Sequence, residues 1–119
     1  MTYHTPDLDS LFQALSDPTR RAILTRLAKG PAPVSALAEP FEMALPSFMG
    51  HLKRLEDGGL IETTKSGRVR TCAMRPGALE PARSWIDEQR AIWESRLDRL
   101  DDYVTKLMKE RADETRSKD

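Results

Sequence analysis

The chain has 119 residues, of which 39% are hydrophobic and 32% charged, with a formal net charge of zero. At 13.5 kDa this suits one domain with a modest core and excludes an enzyme with a deep cleft. No apolar run approaches the roughly 20 residues needed to span a bilayer, Met1–Asp7 lacks the parts of a signal peptide, and the lone Cys72 rules out an internal disulfide, so a reducing cytoplasm is expected.

Leu8, Leu11, Phe12 and Leu15 recur at spacings of three and four, which predicts a first helix over 8–15. Ser16-Asp17-Pro18 breaks it and starts another. Asp17 is a good N-cap, because its carboxylate accepts from free backbone donors, and Pro18 suits the first helical position, where no donor is needed. The second helix is expected to reach about Lys29 and to bury Ile23, Leu24 and Leu27 before Gly30-Pro31 stops it. Ala32-Pro33 leads into a short third helix, Val34–Pro40, with Ser35 as its cap and Leu37 and Ala38 inward.

Phe41–Ala44 is a turn, and Leu45–Asp57 reads as a fourth helix with Phe48, Leu52 and Leu55 inward. Pro46, Ser47, Met49, Gly50, Lys53 and Arg54 face outward, with His51 at the boundary. Glycine in mid-helix costs ~1 kcal/mol against alanine, so Gly50 is either tolerated or lets the backbone lie close to a partner. Beyond Gly58-Gly59, two strand-like runs, Leu60–Lys65 and Val69–Met74, flank Ser66-Gly67-Arg68. Helix, turn, helix and an arginine-bearing hairpin is the order of a winged helix-turn-helix: mainly α with a small β-hairpin. Such a module sets its second helix in the major groove and its hairpin over neighbouring phosphates. Charge agrees with this placement. Between His51 and Arg75 the bases Lys53, Arg54, Lys65, Arg68, Arg70 and Arg75 outweigh Glu56, Asp57 and Glu62, whereas the segment after Pro76 is net acidic.

From Ala78 to Arg111 one long helix is predicted, with Pro81 in its first turn. Trp93, Leu97, Leu100, Val104 and Leu107 step by four, three, four and three, the apolar seam of a helix that pairs with another. Trp85, Ile86 and Ile92 are expected to widen this face toward the body. So long a seam on so small a domain calls for a second copy of the chain across a two-fold axis, helped by Leu8, Leu11 and Phe12 of the first helix. Residues 1–111 are thus one domain, 78–111 its C-terminal dimerisation helix, and the polar residues 112–119 a flexible tail.

Leu15-Ser16-Asp17-Pro18-Thr19-Arg20-Arg21-Ala22-Ile23-Leu24 resembles the opening signature of the ArsR/SmtB-type transcriptional regulators. The runs Leu37–Phe41, Leu45–Met49, His51–Glu56 and Gly59–Ile61 are similar to that family's helix-turn-helix, so the likeness covers roughly residues 8–110. It implies a homodimeric repressor that binds an inverted repeat in promoter DNA, often its own. Metal-sensing members carry cysteines in the first helix of the reading motif, or histidine and carboxylate ligands on the last helix. Here Val34–Pro40 and the last helix hold no cysteine or histidine. Selective sites for soft or borderline metals need such nitrogen or sulfur donors, so a non-metal-sensing branch with no bound metal or cofactor is expected.

The candidate DNA-contacting residues are Ser47, Met49, Gly50, His51, Lys53 and Arg54 on the fourth helix, and Lys65, Arg68 and Arg70 on the wing. Ser47 and Met49 suit base edges, the thymine methyl included; Lys53 and Arg54 suit phosphate. Arg68, beside the Gly67 turn, is the foremost wing contact, in the minor groove or on phosphates. The bland alternatives are a solvated helix face and charges that protect an exposed strand edge. His51 is read as a partly buried structural histidine, with a base contact as its alternative. Cys72 reads as a small apolar residue, with redox sensing as its alternative. Trp85 and Trp93 are assigned to packing, with an inducer pocket as the other option; no small-molecule inducer is specified. The expected function is a DNA-binding transcriptional regulator that represses by occupancy, against the alternative of a winged-helix module that binds another protein. Catalysis is not expected, since no paired carboxylates, phosphate loop or nucleophile–base motif is present.

Overall fold

In the computed structural model of the chain, which describes residues 8–117, α1 (Leu8–Leu15) stops where expected and hands over to α2 (Pro18–Leu27). The Asp17 side chain accepts from the backbone N–H of Arg20, and Pro18 occupies the first turn. The freed carbonyls at the end of α1 are taken by the following arginines: Arg20 donates to Gln13 and Ala14, and Arg21 to Leu15. Orphan carbonyls at a helix C-terminus need such partners, and cationic ones also suit its negative dipole end. His4 and the last two residues of the expected tail lie outside the described residues.

After α2 come β1 (Ala32–Pro33), α3 (Val34–Ala38), α4 (Leu45–Asp57), β2 (Ile61–Ser66), β3 (Val69–Met74) and α5 (Glu80–Ser117). The sheet is antiparallel with strand order β1-β3-β2. Its hairpin register pairs Ile61 with Met74 and Ser66 with Val69. That leaves a two-residue turn whose first central residue, Gly67, has φ +62°. Arg68 has no positive φ, so the pattern is that of a type II′ turn, in which glycine belongs at this position. β2 begins at Ile61 and not at Leu60: the Leu60 N–H bonds back to the Leu55 carbonyl, while its own carbonyl accepts from the Arg75 N–H just beyond β3.

Some boundaries differ from expectation. Two residues of β1 add a third strand by pairing Ala32 with Cys72 and Pro33 with Thr71. Ser35 is not the cap of α3: Pro33 stands at that position and no side chain bonds there. Ala38 is only partly buried. The last helix continues through Ser117 instead of ending at Arg111, because 112–117 contains no glycine or proline to stop it.

The chain divides into two compact units, one ending at Ala82 and the other beginning at Arg83. In the first, Leu11, Ile23, Phe48, Leu52, Leu55, Leu60, Ile61 and Cys72 form the centre of the core, each no more than 2% exposed. Truncating a residue such as Leu55 to alanine is worth about 2–5 kcal/mol. Gly58, the cap of α4, lets α1 and α4 approach closely. A Cβ there would stand 3.0 Å from the Ala14 Cβ and 3.1 Å from the Ser10 carbonyl oxygen. In the second unit every side chain described is exposed except that of Gln89. Exposed i,i+4 pairs, Arg83–Asp87 and Arg90–Glu94, line it. Such pairs add only about 0.3–0.5 kcal/mol each. No helix among the described residues is long and apolar enough to cross a membrane.

Candidate nucleic-acid interface

The position of α4 follows from its apolar stripe. Phe48, Leu52 and Leu55 are buried, and the 3.6-residue period then turns Pro46, Ser47, Gly50, Lys53 and Arg54 to solvent, all of them exposed. Two shallow grooves flank this ridge. One, toward α1, is lined by Ser10, Gln13, Gly50, Lys53, Arg54 and Asp57. The other, toward the wing, is lined by Met49, Leu52, Lys53, Glu56, Thr63 and Arg70. The helix and the hairpin therefore border one surface. Thr63 Oγ1 donates to Glu56 Oε1 across the second groove.

On the wing, Lys65, Arg68 and Arg70 are all exposed. Lys65 faces Arg70 in the register, and Arg68 occupies the tip. Like charges placed opposite each other repel, so an anion between them would relieve that repulsion. Lys53 has an exposed partner, Asp57, at 3.8 Å; a contact so open to water is weak and yields readily to phosphate. An exposed helix ridge with a basic hairpin beside it is suited to the edges and backbone of duplex DNA.

Comparison with known proteins agrees with that geometry. Residues 15–64, which hold α2 through most of β2, match the model of a family described as a helix-turn-helix domain. The chain is 38% identical over 86 residues to the HTH-type transcriptional regulator Rv2034 of Mycobacterium tuberculosis, covering 72% of this chain and 78% of that protein. It is 30% identical over 79 residues to the transcriptional repressor SdpR of Bacillus subtilis, covering 66% and 88%. A crystal structure of an ArsR family transcriptional regulator superposes with a TM-score of 0.71 at 57% identity, over 73% of this chain and 96% of the other. The chain belongs to the ArsR family of winged helix-turn-helix transcriptional regulators.

Not every residue singled out in the sequence of this ArsR-family regulator lies on the open surface. Met49 is half-buried and packs against the core, so only part of it reaches the groove beside the wing. Gly50 is exposed and a Cβ there would meet nothing within 4 Å, so the fold itself does not require glycine. His51 is partly buried, its side chain 22% exposed, and its Nδ1 lies 3.1 Å from Nη1 of Arg20. Arg20 was not singled out, because in the pair Arg20-Arg21 both look like surface cations. One helical step of 100° sends the first inward and leaves the second exposed.

Cys72 is fully buried on β3. Desolvation pushes its thiol above the usual 9.0, Glu56 pushes the same way, and Arg70 opposes both. A buried thiol held protonated is a poor nucleophile, which favours the packing role over redox sensing. Among the described residues no group of three or more His, Cys, Asp or Glu side chains is placed to hold a metal ion.

Of the residues expected to pair two copies, Leu11 is spent in the chain's own core at 1% exposure. Its place on the inner face of α1 explains this. Phe12 is partly buried against the same core and Leu8 is half-buried. On α5 the situation is reversed. Trp93, Leu97, Leu100, Val104 and Leu107 are between 42% and 63% exposed. Trp85, Ile86 and Ile92, expected to be covered, are also open, at 43–50%.

Proposed function

We propose that this regulator is a homodimeric repressor that binds an inverted-repeat operator in double-stranded DNA. The observation that carries the reading is the exposed ridge of Ser47, Gly50, Lys53 and Arg54, which meets the basic wing through a groove shared by Lys53 and Arg70. Ser47 and the reachable part of Met49 contact base edges, while Lys53, Arg54, Lys65, Arg68 and Arg70 hold phosphates. With few hydrogen-bonding groups in mid-helix, much of the selectivity comes from duplex shape.

The open seam Trp93–Leu107 supports the dimer. Apolar residues repeating every three and four positions along a helix are stable in water only when covered, and an identical seam is the complementary partner a two-fold axis supplies. Repression follows from occupancy of a promoter, and a similar protein, SdpR, is named a repressor. Control independent of metal is supported by the donors present: neither α3 nor α5 contains histidine or cysteine. The proposed setting is the cytoplasm, with no catalytic role.

The test is selection of fragments of the native genome by the purified chain. The expected result is a shared inverted repeat with half-sites about one helical turn, ~34 Å, or a multiple of it apart. Failure to retain any fragment at low salt overturns the reading, and retention without a common sequence overturns the operator.

A further inference from the structure

Arg20 is the one buried charged residue among the described residues, at 7% exposure. Its guanidinium touches two other helices. Nε donates to the Ala14 carbonyl at 2.9 Å and Nη2 to the Gln13 carbonyl at 2.9 Å, both at the end of α1. Nη1 lies 3.1 Å from Nδ1 of His51, in the middle of α4. Its own backbone N–H donates to Asp17 Oδ2 at the start of α2. One side chain, rooted in α2, thus joins the end of α1 to the helix proposed to read DNA.

The chemistry of the pair fixes its proton. A guanidinium has only donors, so His51 Nδ1 must present its lone pair and the ring proton belongs on Nε2. A second proton would turn Nδ1 into a donor facing a donor and bring two cations together. The ring then has an alternative acceptor, Asp17 Oδ2, 3.8 Å from Nδ1. Arg20 cannot follow the ring, because two carbonyls hold it. Of the other charged side chains on elements packed against α4, Asp9 of α1, Arg21 and Arg26 of α2, and Glu62 and Lys65 of β2, none has a described bond to the ring. His51 stands directly after Gly50 and two residues before Lys53, so the ring that Arg20 holds belongs to the same stretch of helix as the contact ridge.

We propose that Arg20 is a positioning residue for DNA binding: it seats α4 through a neutral His51, and a proton on His51 releases that seat. This inference rests on the DNA-binding reading above. It makes a prediction of opposite sign to a direct DNA contact by His51, since an imidazolium on a phosphate would tighten binding as the solution is acidified.

The experiment measures binding of the full chain to the duplex recovered by genomic selection, at constant salt, at about pH 8 and about pH 5.5. His51→Asn keeps a neutral acceptor near the Nδ1 position and cannot take up the proton. Its own affinity at the higher pH is its reference, and its response to acid relative to that reference becomes the baseline. Relative to that baseline the parent is expected to weaken about tenfold at the lower pH. Arg20→Lys cannot reach three acceptors at once and is expected to bind about tenfold more weakly at the higher pH, with its melting temperature recorded alongside. If the parent binds at the higher pH but its acid response equals or exceeds in affinity that of His51→Asn, this inference is overturned and the DNA-binding reading stands. No binding by the parent at either pH overturns both.

Discussion

Thr63 Oγ1 donates a hydrogen bond to Glu56 Oε1, fastening the first hairpin strand to the last turn of α4. The two residues face each other across the groove that also holds Lys53 and Arg70. The bond therefore helps to set the spacing between the contacts proposed for the helix and those proposed for the wing. Thr63→Val removes the hydroxyl while keeping β-branching and volume. It is expected to weaken operator binding roughly two- to fivefold, in line with a net hydrogen-bond worth of about 0.5–1.5 kcal/mol. Thr63→Ser is expected to restore most of the loss. Parental affinity in Thr63→Val, measured by titration at fixed salt, would show that the fastening has no bearing on DNA.

Arg68 sits at the tip of a turn held by Gly67, and its side chain is exposed. Removing it takes away the proposed phosphate contact without touching the core. Arg68→Ala is expected to weaken binding on every sequence alike and to reduce the slope of log affinity against log salt by about 1. The melting temperature is expected to stay within error of the parent. A loss confined to one sequence would move Arg68 from phosphate to base readout.

Much of this architecture is readable in the chain because local signals agree with the final packing. Asp17-Pro18 marks the start of α2, the period of Phe48, Leu52 and Leu55 orients α4, and Gly67 sets the hairpin. The features that escaped depend on partners distant in sequence. A two-residue strand such as β1 has no periodicity, and only Thr71 and Cys72 define it. Arg20 is indistinguishable from Arg21 until the end of α1 and His51 are brought to it. Leu11 and Phe12 share one apolar stripe with Leu8, and only packing shows that Leu11 has no surface left to offer a partner. For the site, exposure of Ser47, Gly50, Lys53 and Arg54 was legible from helical period, whereas the half-burial of Met49 was not, because its neighbour is the core around β2 and β3.

Asp17 links the fold to pH. Its carboxyl is held below the ordinary 3.8, first by the backbone N–H of Arg20; burial opposes this, while the field of Arg20 (and of His51 when protonated) and the Thr19 N–H assist. A carboxyl with a depressed value takes up its proton more readily in the unfolded chain, so acid favours unfolding. The contribution is complete above 3.8 and lost as pH falls through the depressed value. Asp17→Asn retains a capping oxygen but no titration. In thermal melts from about pH 7 to about pH 3, the parent is expected to lose stability more steeply than this variant below about pH 4. At neutral pH, Asp17→Ala is expected to cost about 0.5–2 kcal/mol. Parallel acid limbs would mean that other carboxylates govern the acid transition.

The seam on α5, exposed in the single chain, is the surface proposed to assemble two. Leu97 and Leu100 are 52% and 56% exposed, so a charge there meets water in one chain and an apolar surface only if a second chain is present. Leu100→Glu is accordingly expected to leave the core of the first unit intact, as judged by near-ultraviolet dichroism, while converting a sedimenting dimer to single chains. DNA affinity is expected to fall roughly a hundredfold, because the second half-site no longer benefits from the effective concentration supplied by the first. Asp102 lies about 200° around the helix from Leu100 by the 3.6-residue period, so Asp102→Ala serves as the control and is expected to change neither measurement. The seam cannot be the dimer contact if Leu100→Glu still sediments as a pair. If it sediments singly yet binds operator as tightly as the parent, the dimer is not required for reading DNA.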